Sequence, residues 1–131
     1  MGKIYLAGAI THSPDPSGWR ERARVYLEED GWEVLNPLDW EVKTWTAAEI
    51  IRLDYTLIMQ STAIICDCGL PSWGTAMELA YAGQHRIPVF GFKVANHISP
   101  WLEYHLFKRS KQLEKAIEQL NSWKASLNAK A

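Results

Sequence analysis

The chain has 131 residues, enough for one compact domain with its own core. A hydrophobic share of 47% is ordinary for a globular fold, and a formal net charge of −1 excludes the basic field that a nucleic-acid polymer would need. No run reaches membrane-spanning length and no apolar leader follows Met1-Gly2-Lys3, so the composition predicts a single domain over 1–131 in a reducing cytoplasm, with no membrane partner.

Lys3-Ile4-Tyr5-Leu6-Ala7-Gly8 reads as a buried strand ending in glycine. Residues 9–18 form a loop rich in Thr, Ser, Pro, Asp and Gly. Trp19 to Asp30 is helical, with Trp19, Ala23, Tyr26 and Leu27 at helical spacing and Gly31 as its stop. A second strand, Trp32 to Asn36, is halted by Pro37, and Leu38 to Trp45 is loop. Thr46-Ala47-Ala48-Glu49 is a capping box that opens a helix to about Gln60. Ala47, Ile50, Ile51, Leu57 and Ile58 are its core-facing stripe.

The third strand region is Ser61 to Cys68, and the third helix runs from Ser72 to Gln84. Ile87 to Phe92 is a fourth strand. One helical turn at Trp101 to Tyr104 precedes a short fifth strand, His105 to Lys108. Ser110 is expected to cap a last helix whose stripe is Leu113, Ile117, Leu120 and Trp123, with fraying after Leu127. Strands alternating with helices predict an α/β flavodoxin-like or Rossmann-like three-layer sandwich. Its five parallel strands would lie in the order 2-1-3-4-5, with the switch point between strands 1 and 3. That order brings the loop after Gly8 beside the turn Leu70 to Gly74.

Two carboxylates stand out. Glu78 sits among small and apolar residues in the helix that follows the Gly-Pro-Ser turn, and a lone buried carboxylate is costly unless it has chemistry to do. Asp54 falls on the apolar stripe of its own helix by i+3 and i+4 spacing; a structural pairing with Arg52 is the alternative. Two carboxylates in one pocket can divide the cleavage of a glycosidic bond, one ionised at the sugar carbon and one protonated at the leaving group. Ser72 reads as the N-cap of the Glu78 helix, and with Gly74 and the free N–H groups it forms a candidate anion site.

Other features carry less. Cys66 and Cys68 read as two small buried thiols that do not close on each other, and neither they nor His12, His85, His97 and His105 have metal-ligand spacing, so no metal or organic cofactor is expected. Ser13, Asp67 and a histidine lack the nucleophile-elbow context of a triad. Seven tryptophans imply core and subunit contacts. Trp40 and Trp73 could stack on a planar base, with packing the default for either.

The residues Ile4-Tyr5-Leu6-Ala7-Gly8, Asp54 and Gly74-Thr75-Ala76-Met77-Glu78, in that order and setting, resemble the nucleoside 2-deoxyribosyltransferase superfamily, which includes the 2'-deoxynucleoside 5'-monophosphate N-glycosidases. The resemblance implies that Glu78 is a nucleophile toward the sugar C1', that Asp54 assists departure of the base and that Tyr5 positions the nucleophile. Gly8, Ser72 and Gly74 are then the substrate-binding candidates. Ser72 stands where transferases of free nucleosides usually carry an aspartate for the 5'-hydroxyl. A serine donates to a phosphate without repelling it, so the expectation is an N-glycosidase of nucleoside 5'-monophosphates.

The phosphate-side cation would come from Arg20 or Arg22, both read as solvent-facing otherwise. Base exchange between nucleosides is the close alternative, and a nucleotide-binding module without turnover the more distant one. The resemblance also implies a homodimer or higher homo-oligomer, with residues 99–105 of a neighbouring subunit completing the pocket.

Overall fold

The computed structural model describes residues 2–130. Five parallel strands form one sheet in the order β2-β1-β3-β4-β5, as the alternating pattern predicts. They are β1 (Lys3–Ala7), β2 (Glu33–Leu35), β3 (Ala63–Asp67), β4 (Val89–Phe92) and β5 (Lys108–Arg109). The helices are α1 (Gly18–Glu29), α2 (Ala47–Gln60), α3 (Trp73–Gln84), α4 (Pro100–His105) and α5 (Leu113–Lys130), and a single 3-10 turn spans Pro37–Asp39.

Strand alternation sorts the core into two layers. Ile4 and Leu6 of β1, Ala63 and Ile65 of β3 and Phe90 and Phe92 of β4 pack under α1 and α5, against Trp19, Ala23, Leu27, Leu113, Ile117 and Leu120. Tyr5 and Ala7, Ile64 and Cys66, and Val89 point the other way, toward Leu57 and Ile58 of α2 and Leu79 and Ala82 of α3. One residue of β1 therefore decides the geometry of the site: Tyr5 lies on the face covered by α2 and α3, the helices that carry Asp54 and Glu78.

Local signals hold at most boundaries. The capping box is complete, with Thr46 Oγ1 accepting from the Glu49 amide and the Glu49 carboxylate accepting from the Thr46 amide. Gly31 follows α1 at φ 89°, a conformation that glycine adopts without a Cβ penalty.

Several expectations are corrected. Only the C-terminal half of the α2 stripe is buried; Ala47 and Ile51 are exposed because the first turns of this helix stand clear of the sheet. Tyr26 is exposed on α1, and Arg20 occupies the buried face instead. The turn after Ser99 continues as helix through His105, where His105 Nδ1 meets the Trp101 carbonyl at 2.7 Å, so β5 begins only at Lys108. Ser110 does not cap α5: its hydroxyl bonds the Gly91 and Gln112 carbonyls, and the helix starts at Leu113 and runs on past Leu127. Trp40 and Trp73 are exposed rather than packed.

Candidate active site

The site lies where β1 and β3 end, at the switch point of the sheet. Parallel register sets Tyr5 beside Ile64 and Ala7 beside Cys66. From β1 the Tyr5 ring crosses beneath α3, and its hydroxyl donates to Glu78 Oε2. Tyr5 is fully buried. Burial and the neighbouring charges of Glu78 and Asp54 hold its phenol far above the usual tyrosine range, so it remains a hydrogen-bond donor to the carboxylate.

Glu78 is half-buried on α3, and burial pushes its carboxyl up to about 8. The Tyr5 hydrogen bond and the Arg20 charge oppose that rise, while the charges of Asp54 and Glu41 add to it. Asp54 on α2 is pushed up to about 6, again first by burial and then by the Glu41 charge. Its Oδ1 is buried with no hydrogen-bond partner among the described residues, and it makes no ion pair there, so the structural alternative of an Arg52 partner is not realised. Two interacting carboxyls, each desolvated, thus titrate on either side of neutrality, and the proton they share near pH 7 lies mainly on Glu78.

Ser72 is the N-cap of α3, its Oγ accepting from the Thr75 amide at 3.3 Å. The hydroxyl proton has no acceptor among the described residues. A Cβ added at Gly74 would meet only Ser72 Oγ at 4.0 Å, so the first turn of α3 opens onto free space. Gly8 is the opposite case. A Cβ there would lie 3.1 Å from both Asp67 Cβ and Trp19 Cζ2, so glycine is what lets α1 and the end of β3 close on the strand.

Two side chains take places that the sequence did not point to: Glu41 was not singled out, and Arg20, the candidate phosphate-side cation, is engaged by loop carbonyls instead. Glu41 follows the 3-10 turn at the carboxyl end of β2, half-buried, and its charge reaches both Asp54 and Glu78. Its only sequence signal is position, since every loop at that sheet edge faces the site. Arg20 is fully buried, with Nη1 on the Pro16 carbonyl at 2.6 Å and Nη2 on the Gly8 carbonyl at 3.0 Å. It does not face solvent as the helix pattern suggested. The available signal was its place at i, i+3 and i+7 with Ala23 and Leu27, the argument that singled out Asp54.

Among the described residues no group of three or more His, Cys, Asp or Glu side chains is arranged to hold a metal ion. Cys66 and Cys68 are both free, with sulfurs 3.8 Å apart. No described helix is long and apolar enough to cross a membrane.

Residues 4–122 match the family model described as nucleoside 2-deoxyribosyltransferase. The chain belongs to this family. A protein of Methanosarcina barkeri that carries the name 2'-deoxynucleoside 5'-phosphate N-hydrolase 1 is 33% identical over 93 residues, 66% of this chain and 58% of that one. The match thus spans under two thirds of the relative's length. Among solved structures, the 2-desoxiribosyltransferase of Leishmania mexicana is 26% identical with a TM-score of 0.60, covering 70% of this chain and 64% of that one. The 2-deoxyribosyltransferase of Bacillus psychrosaccharolyticus shares the fold at 20% identity and a TM-score of 0.73, covering 87% and 89%. The CMP N-glycosidase of Clostridium botulinum does so at 21% identity and 0.64, covering 91% and 98%.

Proposed function

We propose that this chain hydrolyses the N-glycosidic bond of 2'-deoxynucleoside 5'-monophosphates through a glycosyl ester on Glu78. The observation that carries the reading is the pair of desolvated carboxyls, Glu78 held by the Tyr5 hydroxyl and Asp54 facing it from α2. The first step starts from the minor arrangement in which the shared proton lies on Asp54: the ionised Glu78 bonds to C1', the C1'–N bond breaks, and its electron pair leaves with the base, which takes the Asp54 proton. In the second step water attacks C1', the ester bond returns its electrons to Glu78, and the water proton passes to Asp54. Free base and 2-deoxyribose 5-phosphate are released.

Phosphate selection is assigned to the N-terminus of α3. Ser72 and the open turn at Gly74 offer donors there, and a serine adds no negative charge. The name of the Methanosarcina relative supports this over base exchange. A second copy of the chain is the proposed cover for the α2–α3–α4 face, where Trp73 is 87%, Trp101 78% and Tyr104 85% exposed.

A product assay by liquid chromatography tests the reading, using each 2'-deoxynucleoside and each 5'-monophosphate, with and without a different free base. The hydrolase reading requires base release from monophosphates and its loss in Glu78→Ala. Exchange onto the added base from unphosphorylated nucleosides would favour the transferase reading. No cleavage of any substrate would leave a binding module.

A further inference from the structure

Arg20 is the most unusual buried group in the molecule. It has no solvent exposure, and among the described residues no carboxylate lies within ion-pair distance of its guanidinium. A buried cation without an ion-pair partner is costly, and a hydrophobic side chain at that place on α1 would be cheaper. What the guanidinium does touch is informative. Nη1 donates to the Pro16 carbonyl and Nη2 to the Gly8 carbonyl. Those two residues bracket the loop between β1 and α1, at the mouth of the site. The plane lies over the Trp19 ring, 4.7 Å from its centroid, and Nε has no partner. Trp19 is also the residue that a Cβ at Gly8 would strike. Glycine at 8, the indole and the guanidinium therefore form one packed unit at the end of β1.

We propose that Arg20 is a positioning residue of the site, its guanidinium clamping both ends of the β1–α1 loop while it keeps an unpaired positive charge buried at the end of the strand that carries Tyr5. The clamp follows from geometry: two loop carbonyls are fixed by one planar fork, a task that the single ammonium of lysine cannot reproduce. The charge has a defined set of recipients. Tyr5 of β1 bonds Glu78, and the charges of Asp54 on α2, Glu41 on the β2–α2 connection and Arg20 all act on it. On its other side Arg20 faces Asp67 and Cys66 of β3, and Asp67 is paired with Lys93 at 3.8 Å. Arg20 is the cation of this set; its charge joins the Tyr5 hydrogen bond in favouring an ionised Glu78, and the Asp54 and Glu41 charges oppose both.

The electrostatic half rests on Glu78 as the nucleophile; the clamp half does not. Two variants separate them, Arg20→Met without the charge and Arg20→Lys with charge but without the fork. Two readouts need no turnover: carbon-13 NMR titration of the Glu78 carboxyl, and amide hydrogen exchange over residues 9–17. In Arg20→Met the Glu78 titration is expected to move up by about one unit or more. In Arg20→Lys it is expected to stay within a few tenths, while loop exchange rises about tenfold or more in both. In the activity assay the lysine variant raises KM with the pH profile kept, and the methionine variant moves the upper limb, near 8 in the wild type, further up.

A folded Arg20→Met with an unmoved Glu78 titration would overturn the electrostatic role. Unchanged loop exchange in Arg20→Lys would overturn the clamp. Loss of folding in both variants would make Arg20 a core residue and overturn the proposal. If the wild type turns over no substrate, the function assigned above fails, and the two NMR and exchange results still decide the role of Arg20.

Discussion

Glu78→Gln removes one titrating group and little else, because an amide oxygen can still accept from the Tyr5 hydroxyl. In the folded chain Glu78 titrates near 8 rather than at its ordinary 4.5. Through that window the folded state keeps a proton that the unfolded chain has released, so wild-type stability falls as pH rises from about 4.5 to about 8. A displacement of this size sets a ceiling of about 5 kcal/mol. Glu78 is half-buried, so water screens part of that, and about 2–3 kcal/mol is the expected effect. Asp54 contributes with the same sign between 3.8 and about 6, by a smaller amount because it retains more water contact. Urea unfolding of both proteins at several pH values between about 4.5 and 9 measures the difference. Near pH 4.5 the two should agree closely. Near pH 9 the glutamine variant should be the more stable by about 2–3 kcal/mol, or several degrees in Tm. Parallel stability curves across that range would refute a desolvated Glu78 and with it the carboxyl-pair argument.

Other consequences follow from the same geometry. The profile of kcat/KM against pH should be bell-shaped with limbs near 6 and near 8, which belong to the coupled pair, and Asp54→Asn should abolish one limb and lower kcat about 10²–10⁴-fold. Tyr5→Phe removes the hydrogen bond that lowers the Glu78 pKa, so the Glu78 titration should rise further, read by carbon-13 NMR or by the upper limb of the rate profile. Glu41→Gln should lower the Asp54 titration, since the Glu41 charge is its second-largest cause. Gly8→Ala places a methyl 3.1 Å from Trp19 and Asp67 and should cost about 1–3 kcal/mol in urea unfolding, whereas Gly74→Ala meets open space and should cost under about 1 kcal/mol.

The sheet order was readable because it depends on alternation of strand and helix patterns, and short apolar runs such as residues 63–66 are hard to misplace in such a series. That Tyr5, Asp54 and Glu78 come together was readable for a different reason. Each is a polar group where periodicity demands an apolar one, or sits in a motif that the family shares. Arg20 broke the same rule but reads from the sequence only as a phosphate-side or solvent-facing cation, because a long basic side chain on a helix is ordinarily solvated. Glu41 broke no rule at all; only the path of the chain after Pro37 turns it toward Asp54. The C-terminal boundaries went astray because their determinants are tertiary. Ser110 spends its hydroxyl on the carbonyl of Gly91, a residue of the neighbouring strand, and so is not free to cap. The end of α5 is helical in spite of a polar sequence, following a body anchored by Leu113, Ile117 and Leu120.

The covalent role of Glu78 can be put to trial by denaturing mass spectrometry after incubation with a 2'-fluoroarabino nucleoside 5'-monophosphate, whose fluorine destabilises the oxocarbenium-like transition state of the water step and lets an ester accumulate. The predicted result is a sugar-phosphate adduct on the peptide carrying Glu78, formed as one equivalent of base is released and absent in Glu78→Gln. Steady release of base with no adduct, or an adduct mapped to any other residue, would contradict it.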